Sequence, residues 1–110
     1  MSLLPDYQEE TLTRAEADAL DGATVLEFGA SWCGYCIGAQ PVIHAALGNA
    51  TGLRHLKIAD GPGRPLGRSY RVKLWPTLIF LRDGQEVARV VRPTASAPLT
   101  EALEVSKQAG

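Results

Sequence analysis

The stretch "PTLIFLRDGQEVARVV", residues 76–91, holds two apolar runs separated by Asp83-Gly84. β-Branched and aromatic residues on either side of Asp-Gly predict two antiparallel strands joined by a tight hairpin with a primed turn. "ATVLEFGA", residues 23–30, is a short apolar run broken by one charge, Glu27. Its length and composition predict a buried strand. "LRHLKIAD", residues 53–60, predicts another. Between these two, a helix is expected from Cys33 to Ala46. Pro41 lies inside it, where proline removes a backbone donor and crowds the turn before it, so a kink is expected.

The flanks follow the same logic. In "TRAEADALDG", Thr13 precedes Glu16 by three residues, a capping-box pattern. Leu12, Ala17 and Leu20 can form one apolar face of that helix, and Gly22 is expected to end it. "GPGRPLGRSYRV" is a Gly/Pro-rich loop with room for a short helix at most. "SAPLTEALEVSKQ" offers Ser96 as N-cap, Pro98 in the first turn, and Leu99, Ala102 and Leu103 at helical spacing. The predicted order is helix, strand, helix, strand, short helix, hairpin, helix. A strand–helix–strand unit implies a parallel pair with a right-handed crossover. The hairpin adds antiparallel strands, and helices cover both faces of the resulting α/β sheet.

Length and composition narrow the picture. The 110 residues fit one domain, and an apolar content of 45% is enough for a core. A formal net charge of −1 gives no reason to expect a nucleic acid or an anionic membrane as partner. No apolar run reaches transmembrane length. The start, "MSLLPDYQEE", lacks a basic region followed by an apolar stretch, so a secretory signal is not expected. A cytoplasmic monomer is the expectation.

The candidate chemistry sits in "FGASWCGYCIGAQP", which carries both cysteines of the chain, Cys33 and Cys36. One reading is a pair of inert core thiols or a simple staple, but a bridge over two residues closes almost no loop and stabilises little. A second is zinc, which wants four ligands. Only His44 and His55 remain, and His44 is about two helical turns beyond Cys36. Both histidines read more simply as surface residues. The third is a redox dithiol. Cys33 falls where a helix begins, and the unpaired backbone N–H groups there carry partial positive charge that favours a thiolate over a thiol. The thiolate is the species that attacks a disulfide.

At these residues the sequence resembles the thioredoxin family. "WCGYC" is similar to the family's W-C-G-P-C segment, with Tyr35 in place of proline. "LWPTLIF" is similar to its proline-threonine segment at the start of a strand, and "DGQEV" to its hairpin. Glu27 falls where the family has a buried acid, usually aspartate, and Pro41 where it has a helix kink. The resemblance covers about residues 23–107 and implies a thioredoxin-like three-layer sandwich, a mixed central sheet with helices on both faces. It also implies a thiol–disulfide oxidoreductase that reduces protein disulfides, without metal or cofactor. Such a protein is recharged by a thioredoxin reductase or another dithiol donor. Isomerase or oxidase activity, or a binding module with redox-sensitive thiols, remain as alternatives.

The resemblance also assigns roles. Cys33 is the nucleophile and Cys36 the resolving thiol. Glu27, if desolvation raises its pKa, accepts the Cys36 proton; the plainer alternative is a solvent-facing glutamate or one paired with Lys57. Trp32, Gly34, Tyr35, Trp75 and Pro76 form the substrate surface. Pro76 is expected in cis, with the Trp75 backbone offered to an extended substrate. Trp75 and Tyr35 depart from the family pattern. A neutral tyrosine between the cysteines gives the thiolate less support than a histidinium would, so the potential is expected between about −270 and −180 mV. Arg64, Arg68, Arg71 and Lys73 precede Pro76 and form either a patch for acidic partners or a solvated face.

Overall fold

A computed structural model describes residues 6–9 and 12–108 of the chain. The expectation that the first ten residues are no secretory signal rests partly on residues 1–5 and 10, which lie outside that range.

The elements run α1 (Arg14–Asp18), β1 (Ala23–Gly29), α2 (Gly34–Leu47), β2 (Leu53–Ala59), α3 (Pro65–Ser69), β3 (Thr77–Arg82), β4 (Gln85–Val91) and α4 (Ala97–Gln108). The sheet order is β2-β1-β3-β4. β1 pairs parallel with β2 and antiparallel with β3, and β3 pairs antiparallel with β4. The hairpin turn has φ of 51° at Asp83 and 81° at Gly84, the two positive values a type I′ turn requires. Beyond it, the register shifts between Phe80 and Leu81, so Phe80 faces Ala88 and Leu81 faces Glu86.

All seven residues of β1 are buried, as a strand covered on both faces must be. Alternation then sorts its side chains between two cores. Val25 joins Leu78 and Phe80 against Ile43 and Leu47 of α2 and Leu99 and Leu103 of α4. Leu26 and Phe28 join Ile79 and Leu81 against Ala17, Leu66 and Tyr70 on the opposite face. Each fully buried Leu or Phe contributes about 1.5–3 kcal/mol relative to exposure. The same alternation puts Glu27 on the Val25 side, under α2.

Two details differ from expectation. The capping box of α1 is present, with Thr13 Oγ1 accepting from Glu16 N–H at 3.1 Å and Glu16 Oε1 accepting from Thr13 N–H at 2.8 Å. The helix, however, ends at Asp18, not at Gly22. Gly22 instead turns the chain into β1 at φ 75°, and its N–H donates to Asp83 Oδ1 at 2.7 Å. The second detail is an addition beyond β2. Gln8 forms a parallel bridge to Ile58, donating its N–H to the Lys57 carbonyl at 3.0 Å and accepting from Ala59 N–H at 2.7 Å. That bridge covers part of the free edge of β2 and fixes the position of Tyr7.

Candidate active site

β1 and α2 meet at residues 30–33, and both cysteines sit at that junction as free thiols. Cys33 is the N-cap of α2. It has extended backbone geometry, and its Sγ accepts from the Cys36 N–H at 3.2 Å. The sulfur thus takes the place an oxygen takes in ordinary N-caps and satisfies one orphan donor of the first turn. Gly34 opens the helix, where an added side chain would meet only open space. Cys33 is 7% exposed and Cys36 1%. Burial is the main reason the Cys36 thiol is pushed up to about 12, and a hydrogen bond with Cys33 adds to it. The pair packs with Ala30, Tyr7 and Trp75.

Beneath Cys36 lies a polar network built on Glu27, which is completely buried. His55 Nε2 is 2.8 Å from Oε1. Oε2 accepts from the Tyr7 hydroxyl and, at 3.0 Å, from Gln40 Nε2. The same Gln40 amide donates to the Cys36 carbonyl at 3.0 Å, and its Oε1 accepts from Lys57 Nζ at 2.8 Å. The expected raised pKa of Glu27 is therefore corrected. Burial alone pushes it up, but the hydrogen bonds from His55, Tyr7 and Gln40, with the nearby His55, outweigh burial and leave it below the ordinary carboxylate value. Nor is Glu27 solvent-facing or paired directly with Lys57. The two are register partners across β1 and β2, yet the lysine reaches the carboxylate only through Gln40. His55 is a buried-network residue and not the surface histidine expected. Among the described residues, no group of three or more His, Cys, Asp or Glu side chains is gathered so as to hold a metal.

Above Cys33 lies an aromatic rim. Trp32 is 77% exposed and stands edge-on to Trp75 with ring centroids 5.6 Å apart. The Trp75 indole donates to Asp60 Oδ2 at 2.8 Å, which fixes its orientation. Tyr35 is 63% exposed, and the Arg92 guanidinium lies 3.7 Å from its ring centroid. The Trp75–Pro76 peptide bond is cis and Pro76 is buried. The Trp75 carbonyl accepts from Arg92 Nε at 2.9 Å, which takes one of its two lone pairs. Arg64, Arg68, Arg71 and Lys73 line a groove together with Asp60 and Trp75, and Arg64 also pairs with Glu9.

Four residues of this site escaped sequence reasoning. Gln40 had a signal, since it stands one turn after Cys36 on the same helix face. His55 had one too, being two residues before Lys57 on the same strand face. Arg92 and Tyr7 had none, because long-range packing alone brings them in.

The comparisons with known proteins agree with this geometry. Residues 8–105 match the thioredoxin family. The chain is 51% identical to thioredoxin 2 of Pseudomonas aeruginosa PAO1, solved in its reduced form, with a TM-score of 0.83 over 96% of this chain and 98% of that one. It is 38% identical over 77 residues to a thioredoxin of Chlamydia trachomatis, covering 68% of this chain and 74% of that protein. It is 37% identical over 67 residues to thioredoxin H2-1 of Oryza sativa, covering 61% of this chain but only 49% of the rice protein.

Proposed function

The chain belongs to the thioredoxin family and is a thiol–disulfide oxidoreductase, and from that membership we propose that it reduces protein disulfides in two steps at Cys33 and Cys36. The thiolate of Cys33 attacks one sulfur of the substrate disulfide. A Cys33–substrate bond forms, and the other substrate sulfur leaves with the electron pair. Cys36 then gives up its proton and attacks Cys33 Sγ, closing the Cys33–Cys36 disulfide and releasing the second substrate thiolate. Two electrons pass from the dithiol to the substrate. Glu27, ionised by its hydrogen-bonded partners and so a weaker base than a carboxylate of raised pKa, serves as a transient proton acceptor for Cys36, and Trp32, Gly34, Tyr35 and Trp75 form the surface on which substrate docks, with Pro76 packed beneath it. A thioredoxin reductase or another dithiol donor restores the pair, and the protein works as a monomer in the cytoplasm.

One observation carries this reading: the division of labour between the sulfurs. Cys33 is the hydrogen-bond-accepting sulfur at the helix start and edges the surface, whereas Cys36 is sealed beneath it with its proton held. Insulin reduction driven by dithiothreitol tests it. The wild-type protein is expected to accelerate insulin precipitation and Cys33→Ser to leave the uncatalysed rate. Equal rates with and without the wild-type protein would refute the reductase reading.

A further inference from the structure

We propose that the Tyr7 hydroxyl links Cys36 to Glu27, carrying the Cys36 proton to the carboxylate during the second step. The proposal deepens the dithiol reading and rests on it.

The geometry leaves little alternative. Tyr7 donates its hydroxyl to Glu27 Oε2 and packs against Cys36. Both groups crowd the space that Gly29 leaves empty: a Cβ placed on Gly29 would lie 2.6 Å from Cys36 Sγ and 2.9 Å from the Tyr7 hydroxyl. Gln40 cannot do the same work. Its amide nitrogen bridges Glu27 to Cys36, but at the Cys36 carbonyl and not at the sulfur, and it only donates. A hydroxyl donates and accepts at one atom, which is what a relay requires.

In the mixed disulfide, the Cys36 S–H proton moves to the Tyr7 oxygen as the Tyr7 O–H proton moves to Glu27 Oε2. The freed sulfur pair attacks Cys33 Sγ, the Cys33–Cys36 bond forms, and the Cys33–substrate bond breaks with its electrons going to the departing thiolate. Glu27 Oε2 holds that proton until the pair is reduced again, when the same hydroxyl returns it to Cys36; His55, 2.8 Å from Oε1, keeps the carboxyl group in place. Burial and the facing carboxylate hold the Tyr7 hydroxyl protonated at rest, so it is always charged with the proton it must pass on. The titratable and charged groups around it are Cys33 and Cys36 at the start of α2, Glu27 on β1, and His55 and Lys57 on β2. Lys57 Nζ lies 4.6 Å from the centre of the Tyr7 ring and favours any negative charge that develops there.

Reaction with dithiobis-nitrobenzoate in a stopped-flow instrument separates the two steps. Cys33 attack releases a first equivalent of thionitrobenzoate, and ring closure by Cys36 releases a second at a rate independent of reagent concentration. Tyr7→Phe keeps the ring and removes only the hydroxyl. Its first phase is expected within about twofold of wild type. Its second phase is expected to slow at least about tenfold at neutral pH. It should also climb with pH where the wild-type rate is flat, because hydroxide must then take the proton. Glu27→Gln is expected to slow the same phase, and the double variant to be no slower than the slower single one. A Tyr7→Phe second phase with the wild-type rate and pH profile would overturn the relay. So would slowing by one constant factor at every pH together with a lowered melting midpoint, which marks lost packing. Failure of the wild-type protein to release a second equivalent would instead overturn the dithiol reading itself.

Discussion

Cys33 and Cys36 are one helical turn apart and face two different solvents. Above Cys33 are exposed aromatic rings and a guanidinium, an amphipathic surface that water and partners reach. Around Cys36 are Tyr7, Glu27, Gln40 and His55, polar groups that satisfy one another with little water. The rim is built from side chains free to meet something else, and the inner network from side chains that have already met. Electrostatic effects are weak in the first setting and strong in the second, because a desolvated charge is felt by everything near it. One motif thus sets its two sulfurs in different surroundings without any difference in residue type.

The largest expected consequence is in reactivity. At pH 8, iodoacetamide should alkylate Cys33 at least about a hundredfold faster than Cys36, since a thiol held up to about 12 exposes almost no thiolate at that pH. Peptide mapping of the modified protein gives the ratio, and comparable labelling of both would erase the distinction between rim and interior.

Stability tests the inner network next. Glu27 is held below its ordinary value of 4.5, so its contribution to stability is fully present above that value and is lost as pH falls through the depressed one. Urea unfolding at pH 7 should show Glu27→Gln less stable than wild type by about 2 kcal/mol, the size of a hydrogen bond to a charged group. The gap should shrink on acidification. A variant more stable than wild type at pH 7 would mean that the cost of burying the charge exceeds what its three partners return.

The smallest effect is expected at the rim. Trp32→Ala should change the unfolding free energy by no more than about 0.5 kcal/mol, because the ring is mostly in water. The same variant should lose activity on a protein disulfide while keeping its activity on a small one. Equal losses on both would assign Trp32 to the chemistry and not to docking.

Much of this was legible in the sequence. The hairpin was announced by Asp83-Gly84, the buried strand by its unbroken apolar run, and the cysteine pair by its place at a strand–helix junction, since these are local signals. The direction of the Glu27 shift was not legible, because it depends on which partners arrive. Two of the three, Tyr7 and His55, come from other strands or from the chain's beginning, 20 and 28 residues away. Arg92 likewise reaches Tyr35 and the Trp75 carbonyl only because the chain after β4 returns past the start of β3. Burial is visible in a sequence pattern; the company a buried charge keeps is a property of the tertiary fold.

The reductase reading is tested most directly by the reduction potential of the Cys33–Cys36 pair, measured at equilibrium against glutathione. A neutral Tyr35 between the cysteines predicts a value between about −270 and −180 mV. A value above about −150 mV would make the pair an oxidant of other thiols and contradict the account.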